Sequence, residues 1–582
     1  MQFSELAIYL DKLEKTSSRL AITEILADLF KKSDSSEIDK ICYLVLGQLA
    51  PGYKGIVFNV AEKMMIRVLA KAYGVTDEKA LEVFKEKGDI GDAAHSLSHV
   101  AQKKGKNLSI IDVHNRLFEI AKDAGEESVE RKVDGISTLL LDVDPTSAKY
   151  LARIPVGRLR LGFSDKTILD AMSWMETGGK SGKVKLEEAY NILPDVGILA
   201  RDVKEHGIDK ASKNVTPVLG VPILPMLCSR IKSPKEMIEK MSRVMVEPKY
   251  DGLRIQIHYT KSGFKLMPIE VERGQDNKVK AFTRNLNENS WMFPELSEIG
   301  KYINAEEVIL DSEAVGVDSV RKTMSNFQTT MSRRRKHDIE ELAKKVSITF
   351  KVFDIMYKDG EGLAHLPYEE RRKILSKTIN SGELLEEVGY EITEDPEVIN
   401  AWMEKELKGG LEGIIVKKSD SKYIAGRTGY RWVKMKEKEG QKAKLADTVD
   451  LVIMGFTAGK GKRVSFGMGQ FLGGVRDGES IKSVTKIGTG LTDVQFKELK
   501  KRLSGIVTKE MPKGYEVPKT LIPDFWVNPE VVVEIAADEI TKSPNHASGY
   551  ALRFPRLVKF RDDKNTDQAT TIKEIEKLYK LQ

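Results

Sequence analysis

Cysteine is scarce in this chain: 582 residues hold two, Cys42 and Cys228. Two thiols so far apart exclude a disulfide framework and a cysteine-rich zinc site, and a reducing cytoplasm is the simplest setting for them. Long apolar runs are also missing; none approaches the roughly 18 residues that span a bilayer. The opening MQFSELAIYLDKLEK lacks the charged-then-apolar order of a secretory leader. No internal repeat or low-complexity tract is present. Excess charge is small, a net +7 on a composition that is 41% hydrophobic and 31% charged. These absences leave a soluble, cytoplasmic globular protein with no membrane partner. It is too long for one core, so several domains are expected.

The small positive excess is unevenly spread. Arg427, Arg431, Lys434, Lys436 and Lys438 fall within twelve residues against Glu437 alone. Arg553, Arg556, Lys559, Arg561 and Lys564 form a second cluster, and Arg333-Arg334-Arg335-Lys336 an unbroken third. One such run is usually a solvated face; several on one soluble chain favour a polyanion partner.

Periodicity divides the chain into three textures. Up to about residue 215 the pattern is helical. Phe3, Leu6, Ala7, Leu10 and Leu13 make one stripe, Ile22, Ile25, Leu26, Leu29 and Phe30 another after the cap Thr16-Ser17-Ser18, and Ile38 to Leu49 a third. Pro217, Pro222 and Pro225 then punctuate a linker-like stretch, Val215 to Cys228. Beyond it, strands are expected at 243–247, 253–259, 308–315, 348–357 and 413–417, with helices at 368–376 and 396–408 between them. This predicts an α+β domain. A further shift near Glu439-Gly440 opens a region of short β-type runs and frequent glycines, expected at 450–455, 466–474, 483–488 and 531–535, as in a small β barrel.

The most informative run is Glu247-Pro248-Lys249-Tyr250-Asp251-Gly252-Leu253-Arg254. Leu253, Ile255, Ile257 and Tyr259 alternate with Arg254, Gln256 and His258, which predicts a half-buried strand just after a tight loop bearing Lys249. A lysine amine is nucleophilic only when neutral, and free lysine has a pKa of roughly 10.4, so nearby cations or desolvation must lower it. Further on stand Thr283-Arg284-Asn285-Leu286-Asn287, the strand Asp311-Ser312-Glu313 with two acids on one face, Phe350 to Tyr357, Leu411-Glu412-Gly413-Ile414-Ile415-Val416-Lys417, Arg431-Trp432-Val433-Lys434-Met435-Lys436, and Arg561-Asp562-Asp563-Lys564.

In this order, the runs resemble the motifs of nucleotidyltransferases that form a covalent lysine–nucleotide adduct, and most of all those of archaeal and eukaryotic-type ATP-dependent DNA ligases. The resemblance covers essentially the whole chain, and Thr16 to Leu20, Gly47 to Pro51 and Lys486 to Gly490 add to it outside the core. It implies a multidomain fold: an all-α DNA-binding domain (1–215), an α+β adenylation domain (216–440) and a C-terminal OB-fold β barrel (441–582). It implies Lys249 as the adenylated nucleophile, Glu247 and Phe353 reading and stacking adenine, and Arg254, Arg284 and Arg427 on phosphate or ribose. Glu313 would contact ribose or metal, Glu412 metal, Lys434 and Lys436 the phosphates, and Arg561 and Lys564 pyrophosphate. ATP and Mg²⁺, or Mn²⁺ in its place, are the implied cofactors. A monomer acting on nicked duplex DNA in replication, repair and recombination is implied, with a sliding clamp as a further partner. An extra stretch near Glu270 to Lys280 reads as an inserted hairpin. The other readings are an RNA ligase, a capping enzyme that uses GTP, and a non-catalytic DNA clamp.

Overall fold

The computed structural model describes residues 1–100, 105–157, 159, 161–213, 215–231, 233–265, 276–317, 347–426, 429–436, 448–459, 463 and 466–581. Packing divides the chain into two compact units. One comprises Met1–Ala80 and Ala94–Glu437, the other Leu81–Ala93 and Lys438–Gln582.

Among the described residues, thirteen α-helices lie between Phe3 and Ala211. The first, Phe3–Glu14, buries Phe3, Leu6, Leu10 and Leu13 as its stripe demands. The second, Arg19–Lys32, begins at Ser18, whose hydroxyl accepts the Ala21 N–H. The third is shorter than its stripe. It ends at Val45, and Gly47, at φ +73°, turns the chain so that Leu49 is buried from outside the helix. The helix Val196–His206 is capped by Asp195, which also accepts hydrogen bonds from the hydroxyls of Tyr43 (2.5 Å) and Tyr53 (2.6 Å). One buried carboxylate thus ties three segments of the helical region together.

The middle region holds two sheets. We number its main strands β1 (Val244–Pro248), β2 (Leu253–Thr260), β3 (Val279–Thr283), β4 (Glu307–Val317), β5 (Ser347–Lys358), β6 (Gly413–Lys418) and β7 (Trp432–Lys436). One sheet runs β3-β2-β4-β5 and continues into Glu361–Gly362. The other runs from Ser229–Arg230 through β7, β6 and β1 to Glu391–Thr393. Ile255, Ile257, Leu310, Phe350 and Val352 form the core under the first sheet, with Leu375 of the helix Tyr368–Thr378. That helix is locked in place by Arg371, whose guanidinium grips the Asp354 carboxylate at 2.8 and 2.9 Å with both groups fully buried. β2 departs from expectation. It is not half-buried: Gln256 and His258 on its polar face are as buried as its apolar face.

The C-terminal unit is rich in strands: β8 (Val449–Thr457), β9 (Gln470–Asp477), β10 (Ser480–Ile487), β11 (Val532–Ala536) and β12 (Arg556–Phe560). β8, β9 and β10 are antiparallel neighbours, and β11 joins β8 to β12. Leu451, Phe471, Val484 and Val533 fill its core with Leu499 of the helix Asp493–Leu503. β9 starts at Gln470 rather than at Phe466, whose ring instead stacks on Phe496 at 5.4 Å.

Candidate active site

Lys249 follows β1 directly. Its N–H donates to the Gly413 carbonyl at 2.9 Å, and its own carbonyl accepts the Glu412 N–H at 3.3 Å, so the loop is stitched to the start of β6. Two glycines permit this approach. A Cβ on Gly413, which sits at φ +133°, would run into the Met435 carbonyl, and a Cβ on Gly252 into that of Ala314. The loop and β7 therefore close on the same point.

There the Lys249 ammonium lies 2.5 Å from Glu412 Oε2, and the Lys436 ammonium lies 2.7 Å from the same oxygen. Burial pushes the Glu412 carboxyl up, but hydrogen bonds from these two lysines outweigh it and hold it below the usual carboxylate range. Burial and the charge of Glu412 push Asp251 up. Glu313 is raised to about 7 by burial, against the pull of Lys249 and Arg254. Lys434 is lowered by burial and by the neighbouring charges of Lys436, Arg230 and Lys249. Three acids and three lysines thus meet from four strands or their ends, as the motif order anticipates for Lys249, Glu313, Glu412, Lys434 and Lys436.

Behind the lysine, Glu247 is 1% exposed and already partnered on both oxygens. One accepts from the Tyr368 hydroxyl and from Arg372 at 3.0 Å; the other pairs with Lys417 at 2.6 Å. The Lys417 ammonium lies over the rings of Trp432 (4.3 Å), Phe353 (4.4 Å) and Tyr368 (4.6 Å). Phe353 is half-buried in this aromatic group. A carboxylate offers about four lone-pair sites, so Glu247 keeps room for one more donor.

Arg254 is more committed to the protein than its motif suggests. Nε and Nη2 grip Asp311 at 3.0 and 2.6 Å, Nη1 donates to the Met226 carbonyl at 2.6 Å, and Nη2 reaches the Tyr423 hydroxyl at 3.4 Å. Asp311 therefore serves Arg254, while Glu313, directly opposite Arg254 across the β2–β4 ladder, carries no such pair. Arg284 is exposed on a turn in which Leu286 takes a left-handed φ of +62°. It lines a cleft with Pro222, Ile223, Arg254 and Gln256. Arg427 and the run Arg333 to Lys336 lie outside the described residues, as does most of the expected inserted hairpin.

Three family models match the chain. The DNA ligase N terminus matches residues 2–173, the ATP dependent DNA ligase domain residues 225–268 and 269–436, and the ATP dependent DNA ligase C terminal region residues 465–564. The chain belongs to the ATP-dependent DNA ligase family. A probable DNA ligase of Dictyoglomus turgidum is 39% identical over 593 residues, which cover 100% of this chain and 98% of that one. A DNA ligase of Acidianus ambivalens is 36% identical over 610 residues, again 100% and 98%. The solved structure named Pmar-Lig_Pre. shares the fold over 96% of this chain and 99% of its own, with a TM-score of 0.51 at 17% identity.

In the C-terminal unit of the ligase, Arg561 and Lys564 converge on Asp450 of β8, at 3.0 and 2.6 Å. Arg561 also holds Asp563 at 2.7 Å. Sequence reasoning gave no role to Lys417, Tyr368, Arg372, Tyr423 or Asp251. Lys417 carried the one available signal: it ends the apolar run Ile414-Ile415-Val416 of β6 and closes the run that opens with Glu412. Among the described residues no helix is long and apolar enough to cross a membrane.

Proposed function

We propose that this ligase seals nicks in duplex DNA through a Lys249–AMP intermediate, and that it is organised as a helical DNA-binding domain (1–215), an adenylation domain (216–440) and an OB-fold (441–582). The observation that carries the reading is the Lys249 amine set on a rigid loop among Glu412, Glu313, Lys434 and Lys436. Lys249 Nζ attacks the α-phosphorus of ATP and pyrophosphate leaves. The charge that develops on phosphate oxygens is met by Lys434 and Lys436, with Arg561 and Lys564 orienting pyrophosphate. AMP passes to the 5′-phosphate at the nick, and the 3′-hydroxyl displaces it. Phe353 stacks on adenine, Glu247 accepts from its amino group, and Arg254, Arg284 and Arg427 line the ribose and phosphate side.

The donor set suits magnesium. Among the described residues no three His, Cys, Asp or Glu side chains form a ready metal cage. Mg²⁺ needs none, since it binds through one or two carboxylates, water and substrate phosphates. Glu412 and Glu313 would hold it, and it would supply neutralisation of phosphate charge; Mn²⁺ fits the same oxygens. A monomer in the cytoplasm, working in replication, repair, recombination and cell division, accords with this reading. A sliding clamp is a proposed partner on the resemblance alone.

Glu412→Gln tests the metal role. Lys249 and Lys436 keep 18% and 32% of their side-chain exposure, so water can solvate them and melting should barely shift. The Mg²⁺ required for half-maximal adenylation should rise at least about tenfold, the range that even outer partners of a metal command. A large loss of stability with an unaltered Mg²⁺ requirement would refute the assignment.

Removal of residues 1–215 should weaken nick binding far more than self-adenylation. Binding by the full chain should fall steeply with salt, through release of counterions from DNA phosphates. Equal gel-shift affinity for the full and shortened chains would count against a DNA-binding role for the helical region.

A further inference from the structure

The stretch 215–228 has the composition of a tether, yet Gly220 to Met226 is fastened to β2. β2 turns Ile255, Ile257 and Tyr259 into the core, so Arg254, Gln256 and His258 share the opposite face. Each of the three holds one point of the segment. The Gly220 N–H donates to His258 Nδ1 at 3.1 Å. The Ile223 N–H donates to Gln256 Oε1 at 2.7 Å, and the Ile223 carbonyl accepts from Gln256 Nε2 at 3.2 Å. The Met226 carbonyl accepts from Arg254, while its N–H donates to the Tyr423 hydroxyl at 2.9 Å. Leu227 and Gly426 extend the contact with backbone bonds of their own, Leu227 N–H to Gly426 carbonyl and Gly426 N–H to Pro225 carbonyl.

The donor and acceptor roles in this clasp close on themselves. Because Nδ1 of His258 accepts, Nε2 carries the proton and donates to Gln256 Oε1 at 3.0 Å. That requires a neutral ring, and burial, with Lys280 nearby, holds His258 down at about 3. No residue of the segment is exposed. Ile223 and Met226 are each 1% exposed and pack in one apolar cluster with Tyr423 and with Phe353, Tyr368 and Trp432, the rings around Lys417. At its far end the clasp meets Arg254, whose other N–H groups grip Asp311, two residues from Glu313 on β4.

We infer that Gly220 to Met226 is a wall of the nucleotide site, and that Gln256, His258 and Tyr423 are positioning residues that set Arg254 through it. This rests on the reading of Lys249 as the adenylated residue. The wall is present before and during the reaction alike. Loosening it therefore removes binding shared by ground and transition states, which raises KM for ATP and leaves the maximal rate in place.

The experiment measures lysine adenylation by the full-length protein with α-labelled ATP, together with limited proteolysis between residues 215 and 228. Gln256→Leu deletes the central clasp. Tyr423→Phe removes one hydroxyl and keeps the ring, 5.9 Å from that of Trp432, so it carries the same two readouts if the first variant fails to fold. Each should raise KM for ATP about tenfold, the worth of one well-placed polar contact. The maximal rate should stay within about twofold, and the linker should be cut faster than in the wild type. An unchanged KM with a freed linker would make the segment a tether only. A raised KM with the linker still protected, or a fall in maximal rate alone, would equally overturn the inference. Absence of label on wild-type Lys249 would instead sink the adenylation reading, so the two failures are told apart.

Discussion

Lys249→Arg should give a folded ligase that never acquires label from α-labelled ATP. The substitution keeps a cation beside Glu412, where the wild-type ammonium sits at 2.5 Å. A guanidinium, however, does not lose its proton in a protein, so it offers no lone pair to phosphorus. Lys249→Ala should be equally inert, leaving Glu412 to Lys436 alone. In both variants nick binding should persist, and a nick that already carries its adenylate should still close, because the attacking group is then the DNA 3′-hydroxyl. Label on either protein, stable to denaturation, would mean that another residue is the nucleophile. The arginine variant is the sharper of the two, since it separates the need for a neutral amine from the need for a positive charge at this point.

Glu247→Gln should cost the folded protein about 3–5 kcal/mol, the usual price of stripping the partner from a buried charge. Two buried cations depend on this carboxylate. Arg372 has further acceptors in Glu387, at 3.0 Å, and in the Val388 carbonyl. Among the described residues, Lys417 has only the Tyr368 hydroxyl at 2.8 Å and the faces of three rings besides. Burial already lowers the Lys417 ammonium, with Glu247 opposing that shift; without Glu247 it falls further. A lysine lowered in the folded state binds fewer protons there than when unfolded, so stability rises with pH across that interval. The deficit of the variant, followed by denaturant unfolding, should therefore shrink as pH is raised above neutrality. A deficit independent of pH would show that Lys417 is not the group left stranded.

How much of this was legible beforehand depends on what each signal measures. Alternation and helical stripes report period, and they placed β2, β4, β5 and β6 to within a residue or two. They stop short where a turn intervenes, as at Gly47, beyond which Leu49 continues an apolar stripe without continuing a helix. The same signal misjudged the outer face of β2. Arg254, Gln256 and His258 read as a water-facing set because periodicity shows which residues share a face and not what covers it. The meeting of Lys249, Glu412 and Lys436 lies in no local spacing, since almost two hundred residues separate the first from the last. Motif order carried it. Lys417 stands inside its motif run without a mark of the rings that surround it, and Tyr368 and Tyr423 were overlooked because a hydroxyl that holds a buried carboxylate or a backbone amide is a fact of packing.

The burial of β2 on both faces bears on how this ligase can vary. A strand with one wet face tolerates many substitutions there, although a one-residue slip still exchanges its apolar and polar faces. Here a slip would drive Arg254, Gln256 and His258 into the hydrocarbon of the core and turn Ile255 and Ile257 toward amides that need partners. Both errors would occur at once. Insertions and deletions should therefore be excluded from Leu253 to Tyr259, and the length between Gly220 and Met226 should be as fixed as that of the strand it grips. Variation in spacing between the helical region and Lys249 has to be taken up before Gly220.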